Sequence, residues 1–311
     1  MTRLRRGSTG RLLLAFGLLT PAVASAQGDG PRVMQLAPTG LNIVSGTYMH
    51  MWSNFNFQQD ILIKGAHITS DVVALAYLRT FSIGGQFAQI WLTPIWGTVS
   101  GDYVPAPGLP SLDVPSVNGL GDPYVAMRIG LYGAPGLPLA RFVKHKPSFQ
   151  VYALVGANIP IGEYNASQPL NIGTNRWAIR LALPMVQPLL NPAKPLVFEI
   201  TPSLILYTTN NDPFGPATFR TQAPLFVLEN HLSYNLTKKL WLAGDLRYQV
   251  GGETSSNDIP DGNGLDHLGG NLDVGYQLLR PLSLFAGYGG IIVEGDGASG
   301  QMFRIRANLV F

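Results

Sequence analysis

From Phe303 to its last residue the chain alternates without a break. Phe303, Ile305, Ala307, Leu309 and Phe311 occupy every second position, with Arg304, Arg306 and Asn308 among the residues between them. Successive side chains of a strand point to opposite faces, so this period of two gives one apolar face and one polar or charged face. The pattern recurs along the sequence. Leu240, Leu242, Leu246 and Tyr248 alternate with Asp245, Arg247 and Gln249; Trp177, Ile179, Leu181 and Leu183 alternate with Arg180 and two alanines. Phe198, Ile200, Leu204 and Leu206 oppose Glu199, Thr201, Ser203 and Tyr207, and Leu272, Val274, Tyr276 and Leu278 oppose Asn271, Asp273, Gly275 and Gln277. In the same way Val125, Met127, Ile129 and Leu131 oppose Tyr124, Ala126, Arg128 and Tyr132.

A soluble β-sandwich also alternates, so the environment of the apolar face has to come from elsewhere. Charged residues make up 13% of the chain against 46% hydrophobic, about half the usual charged share of a soluble protein. Too few charges remain to coat a soluble surface. The 36 glycines and 24 prolines favour turns over helices. No apolar run approaches the roughly 20 residues a spanning helix needs. One of the longest, Val72 to Leu78, has seven residues. A chain that spans lipid without helices must close its strands into a barrel, because lipid offers no partner to an unpaired backbone group.

The N-terminus directs the chain to export. Arg3, Arg5, Arg6 and Arg11 precede an apolar stretch from Leu12 to Leu19, and Ala24-Ser25-Ala26 supplies a small-residue cleavage pattern. Residues 1–26 read as a cleavable signal peptide. Its removal takes four of the 21 basic residues and none of the 18 acidic ones, leaving a formal charge of −1. The sequence pI near 9.1 therefore belongs largely to the signal and gives no support for nucleic-acid binding. The absence of cysteine excludes a disulfide framework, a thiol nucleophile and thiolate metal sites.

Candidate strands begin near Gly40, Asp71, Gln86, Gly121, Ser148, Asn175, Pro195, Ala223, Lys239, Asp266, Leu282 and Gly300. The expected fold is an all-β transmembrane antiparallel up-and-down barrel of about twelve strands over residues 40–311. Residues 27–39 form a periplasmic segment able to enter the lumen. Short connections at Ile83-Gly84-Gly85, Asn191–Lys194, Thr237-Lys238 and Arg280-Pro281 belong on the periplasmic side, and long ones near 52–69, 99–120, 161–174, 210–222 and 252–265 outside. Ala134–Pro147 breaks this rule as a long periplasmic connection carrying Arg141, Lys144 and Lys146. The closing strand ends in Phe311, and its outward row Phe303, Ile305, Ala307, Leu309 and Phe311 resembles the signal that barrel-assembly machinery reads in outer-membrane proteins.

Three segments carry a family likeness: Gly119-Leu120-Gly121-Asp122-Pro123, Leu131-Tyr132-Gly133-Ala134-Pro135 and Asn171-Ile172-Gly173-Thr174-Asn175-Arg176-Trp177. With them the chain, from about Leu41 to Phe311, resembles the phenol-degradation MetA-pathway family of outer-membrane proteins. That likeness implies a bacterial outer-membrane transporter for small hydrophobic or aromatic solutes. It supplies no set of substrate residues. By the residues alone, both glycine-rich motifs read as strand-entry turns.

The lumen-lining candidates are Arg128, Arg180, Glu199, Glu229, His231, Asp245, Arg247, Asp273, Arg304 and Arg306. Their signs nearly balance, which suits pairing across the lumen better than a strongly selective ion pore. Barrels of about eight strands are filled and those of 16 or more hold open channels, so about twelve implies a narrow or partly plugged bore. Passive passage through a narrow mixed-charge lumen is the expected function, without enzymatic activity, cofactor or metal. A competing reading is a lipid-modifying hydrolase using His231 and Ser233, which lie two apart on one strand face; a third is a structural or adhesive barrel. The alternation of Leu228, Leu232 and Tyr234 claims the lipid side and leaves Glu229, His231 and Ser233 inside. His50, His67, His145 and His267 lack metal-ligand spacing. The oxygen-rich loop with Asp258, Asp261, Asn263 and Asp266 does not match the calcium pattern of helix–loop–helix sites. Lipid-facing Trp177 and Tyr248 at one interface and Phe198, Tyr234, Tyr276 and Phe311 at the other would form two aromatic girdles. The expected partners are outer-membrane lipids, the assembly machinery and the solute, with no nucleic acid, and the expected state is a monomer.

Overall fold

The computed structural model describes residues 29–56, 60–104, 108–189 and 195–311. The signal sequence expected over 1–26 lies outside the described residues. Twelve antiparallel strands close into one barrel. They are β1 (Asn42–Ser53), β2 (Ala66–Ile83), β3 (Gln86–Thr93 and Ile95–Tyr103) and β4 (Leu112–Leu120 and Tyr124–Tyr132). Next come β5 (Gln150–Asn158), β6 (Ala178–Ala182 and Met185–Pro188), β7 (Leu196–Tyr207) and β8 (Leu225–Asn235). The remainder are β9 (Leu240–Gly251), β10 (Leu265–Gln277), β11 (Leu282–Glu294) and β12 (Gly300–Val310). The seam joins β1 to β12, with Ile43 opposite Val310 and Ser53 opposite Gly300. Beyond the last strand residue, Phe311 exchanges backbone hydrogen bonds with Asn42 and so completes the seam.

The alternation settles which way each strand faces. On β2, Val73, Leu75 and Tyr77 are exposed, as are Leu242 and Leu246 on β9, Val274 and Tyr276 on β10, and Ile305 and Leu309 on β12. A continuous exposed apolar band around a closed sheet is a surface for lipid. Trp177, Tyr276 and Phe311 are exposed on this outer face, and Phe198, Tyr234 and Tyr248 are half-buried on the same parity. Tyr132 departs from the alternation. A bulge between Gly130 and Tyr132 breaks the pairing of β4 with β5, and the ring is exposed against Phe149, at 6.3 Å between centroids, rather than inward.

Three strands are interrupted at prolines, which cannot donate to the ladder. Their carbonyls keep it continuous: Pro94 accepts from Leu75 N–H, Pro184 from Tyr152 N–H, and Pro123 from Ile159 N–H. Interruption has its largest effect in β4. Its second half pairs with both β3 and β5, but its first half pairs with β3 alone, because β5 stops at Asn158. Residues 159–177 stand in for the missing neighbour. At the opposite end of the barrel the β2–β3 hairpin turns on Gly84 and Gly85, with φ of 55° and 79°. Two successive positive φ values are the geometry that matches strand twist, and glycine meets it without strain. The long connection after β4 carries a short helix, α1 (Leu139–Phe142), and its Leu137 carbonyl accepts a hydrogen bond from Thr39.

Candidate functional site

Parity places every lumen candidate inside. Arg128, Glu199, Glu229, His231, Asp245, Asp273 and Arg304 are buried, and Arg180, Arg247 and Arg306 are half-buried. Seven of these residues, with Asp29 of the N-terminal segment, form two linked groups on β6 to β12. In one, Arg304 Nη2 reaches Asp245 Oδ2 at 3.1 Å and Asp273 Oδ1 at 3.2 Å, while His231 Nδ1 lies 2.8 Å from Asp245 Oδ1. In the other, Glu229 lies 3.2 Å from Arg247 and 3.8 Å from Arg180, which also pairs with Asp29 at 3.0 Å. Neighbouring strands thus neutralise one another within a medium that penalises an isolated charge. Among the described residues Arg128, across the bore, has no carboxylate within ion-pair distance. Its Nε donates to Gln89 at 2.9 Å, and its guanidinium stacks near Phe87 and Tyr152 at 5.0 and 4.8 Å.

Asp29 belongs to a segment that sequence patterning did not position. Residues 29–41 run through the half of the bore on the side of the β2–β3 hairpin, held mainly by Glu199. This carboxylate accepts from the backbone N–H of Arg32 at 2.8 Å and of Met34 at 3.3 Å, and from Gln35 Nε2 at 3.0 Å. The grip on two nearby N–H groups requires a sharp turn, and Arg32 accordingly has φ of 68°. Its guanidinium sits 4.6 Å from the Trp241 ring and donates to Asn235. Burial pushes the Arg32 guanidinium down to about 10, partly offset by the field of Glu199. Gly30, with φ of 84°, lies where a Cβ would come within 3.1 Å of Arg304 Nη1. Met34 then packs with Phe87, Ala134 and Tyr152.

The opposite half is filled by loops. Residues 159–177 fold inward and place Leu170 and Ile172 among Met51, Ile68, Val72, Val99 and Met302. Asp122 holds this inward turn in place. Fully buried, it accepts from Gly162 N–H at 2.8 Å, Thr174 N–H at 2.9 Å and Thr174 Oγ1 at 2.6 Å. The two glycine-rich segments singled out in the sequence therefore meet through Asp122 and Thr174. Phe55 and Leu62 cover the other side, against Leu225, Val227, Leu265 and Ile291.

Between these fillings runs a cavity of about 630 Å³. Its β1–β3 side is largely apolar or small, with Met49, Ala74, Ala76, Leu78, Trp91 and Ile95, while Arg180, Glu229, Arg247, Arg304 and Arg306 line the other. The mixed charges expected of the lumen thus gather mainly on one side of this cavity.

The remaining candidates are placed as follows. His231 Nε2 faces Glu229 at 3.9 Å, and the buried Ser233 hydroxyl has no hydrogen-bond partner among the described residues. His50, His67 and His267 lie beside Asp71, Asp102 and Asp296 at 2.6, 3.0 and 2.8 Å. Asp261 and Asn263 bond Thr254, and Asp266 accepts from Tyr248. Among the described residues no group of three or more His, Cys, Asp or Glu side chains is arranged to hold a metal ion.

The family described as "Putative MetA-pathway of phenol degradation" matches residues 53–305. The chain belongs to this family. An outer membrane channel from Pseudomonas putida F1 superposes with a TM-score of 0.74 at 20% identity, covering 91% of this chain and 99% of that one. The transport unit of the autotransporter AIDA-I from Escherichia coli reaches 0.50 at 8% identity, covering 93% and 95%. No curated protein sequence matches the chain. At such identities the likeness is one of fold: the barrel is of the outer-membrane type, and the protein is a protein of the bacterial outer membrane.

Proposed function

We propose that this barrel is a passive channel that takes up small, hydrophobic or aromatic solutes across the outer membrane, without catalysing a reaction. The observation that carries this reading is the cavity itself, apolar on its β1–β3 side and charge-paired on the other. Ligand sites of a few hundred Å³ are mostly apolar with a few placed polar groups, and this bore has that balance. A wide ion pore would not leave half its wall aliphatic. The carboxylates and guanidinium groups opposite are largely paired with one another, which leaves them little net field with which to select an ion.

Liposomes containing the protein should admit a small aromatic solute faster than empty liposomes. Arg180→Ala or Arg247→Ala should change that rate, since both side chains line the cavity, whereas Ser233→Ala should leave it nearly untouched. Equal rates with and without protein would remove the channel reading and favour a structural or adhesive barrel. Phospholipid hydrolysis that disappears in Ser233→Ala would move the assignment to a hydrolase. Against that outcome stands the geometry, because His231 Nε2 is directed at Glu229 rather than at a nucleophile.

A further inference from the structure

The end of the barrel that carries the β2–β3 hairpin bears cations without a counter-charge. Arg141, Lys144 and Lys146 are exposed on the connection after β4, Lys238 and Lys239 on the turn between β8 and β9, and Arg280 on the turn between β10 and β11. No acidic residue lies on these connections. All 18 acidic residues fall within the described residues, on the strands, in the bore or at the opposite end, so no carboxylate is left to neutralise this one. At the opposite end the sign reverses: Asp113, Asp212, Asp258, Asp261 and Glu294 are exposed, and Lys64 is the only exposed lysine or arginine there among the described residues. The cationic connections expose apolar side chains as well. Leu139 and Val143 accompany Arg141, Leu236 accompanies Lys238, and Leu279 accompanies Arg280. Leu139 and Val143 are 58% and 70% exposed, more than the lipid-facing Leu75 at 54%.

The connection after β4 is fixed to the barrel at its base. Gly136 N–H donates to Gly85 O at 2.8 Å, Ala134 O accepts from Phe87 N–H at 2.9 Å, and a Cβ on Gly136 would come within 2.3 Å of Ser82 Oγ. Beyond that base α1 continues as a turn, with Lys144 N–H donating to Arg141 O at 3.1 Å. Leu139 and Val143, four residues apart, share one side of this turn, while Arg141 and Lys144, three apart, share the other. An apolar edge beside cations suits a segment lying in a membrane interface, with the apolar side chains at the acyl boundary and the cations at the phosphates. We propose that this end of the barrel is a binding surface for anionic phospholipid headgroups, and that residues 134–149 form a foot seated in that leaflet. The surface continues the lipid-facing band, since Leu131 and Tyr132 on β4 and Phe149 before β5 are exposed where the foot joins the strands. Its charge complements a phosphate diester. Short connections also gather at this end, as they do on the periplasmic side of outer-membrane barrels. The assignment holds whether or not the bore conducts.

The test uses the mature chain in vesicles. Because the chain has no cysteine, Val143→Cys creates a single labelling site. A fluorophore there is quenched by phospholipid brominated in its tails, supplied at equal mole fraction either as phosphatidylglycerol in phosphatidylcholine or the reverse. The foot should prefer phosphatidylglycerol by at least about fivefold, the scale of one surface cation on an anionic lipid. Arg141→Gln, Lys144→Gln and Lys146→Gln together should bring that preference close to one, and high salt should weaken it. A label at Ile292→Cys, exposed on the lipid-facing row towards the opposite end, should show no preference. Gel mobility before and after boiling confirms that each variant is still a closed barrel. Equal quenching by the two lipids at Val143→Cys, a preference unmoved by the triple replacement, or one of equal size at Ile292→Cys overturns the assignment. Quenching by neither lipid puts the foot in water, which overturns it in favour of an acidic soluble partner.

Discussion

The two sides of the bore solve the same problem, filling the inside of a twelve-strand barrel, by opposite means. Along β1 to β3 the inward positions are mostly small or aliphatic: Ala74, Ala76 and Leu78 on β2, Trp91 and Ile95 on β3. Along β7 to β12 they are carboxylates and bases in contact, with Glu199, Glu229, His231, Asp245, Arg247, Asp273 and Arg304 all inward. The apolar side asks nothing of its neighbours and tolerates an empty space beside it. The charged side is interdependent, since each group is buried only because another neutralises it. Space is therefore left over against the apolar side, and rigidity is concentrated on the other.

Removing one member of the charged side should give the largest effect. Arg304 is buried and serves Asp245 and Asp273 together. Arg304→Ala leaves two buried carboxylates without their shared cation, a class of change that costs about 3–5 kcal/mol. The measurement is the temperature at which the folded, fast-migrating gel form is lost. Ala76→Ser, on the opposite side, should shift that temperature little. Comparable shifts for the two would show that the sides do not differ in the way described.

Next in size is the grip of Glu199 on the N-terminal segment. Glu199→Ala removes three hydrogen bonds to a carboxylate and leaves the Arg32 and Met34 N–H groups unpaired. The expected loss is about 2–3 kcal/mol of segment anchoring. Single-channel conductance in planar bilayers should rise, because the segment occupies one half of the bore. Conductance equal to wild type would mean that Arg128, Arg180 and Arg306, which also hold the segment, suffice without Glu199.

The contrast between the sides also explains what the sequence revealed. Strand number, seam and facing were legible because one face meets lipid, and a one-residue slip would turn Arg304 and Arg306 into it. Charged lumen residues were legible for the same reason: a charge on an apolar alternating strand has only one place to go. Leu78 and Ala76 were not, because an aliphatic side chain suits lipid and lumen equally and its parity alone does not announce a cavity. The path of residues 29–41 was hidden more deeply. Its anchors are backbone N–H groups meeting a glutamate some 165 positions away, and no side-chain pattern encodes that. Asp122 was visible within its motif, but its partner Thr174 lies 52 residues further on, and only folding brings the two motifs together. Tyr132 misled the alternation because a bulge adds a residue that the period does not count.

The smallest effect is expected at the outer rim of the charged side, where Asp296 joins the turn between β11 and β12 to β10. Its carboxylate accepts from Asp266 N–H at 2.7 Å and Ala298 N–H at 2.8 Å, and lies 2.8 Å from His267 Nδ1. Burial by itself would raise its pKa, but the His267 contact and the two backbone N–H groups outweigh burial and hold it below the ordinary carboxylate value. A depressed carboxylate contributes stability above its unfolded pKa, and that contribution fades as pH falls through the folded value. Asp296→Asn should therefore lower stability at neutral pH by about 1 kcal/mol, the scale of a modest hydrogen-bond loss. The gap between wild type and variant should close in acid, below the ordinary carboxylate range. The check is the urea midpoint of barrel unfolding in lipid vesicles at both conditions. A gap that persists unchanged in acid would mean that Asp296 acts through shape alone, and that the rim of the charged side is no more dependent on ionisation than the apolar side facing it.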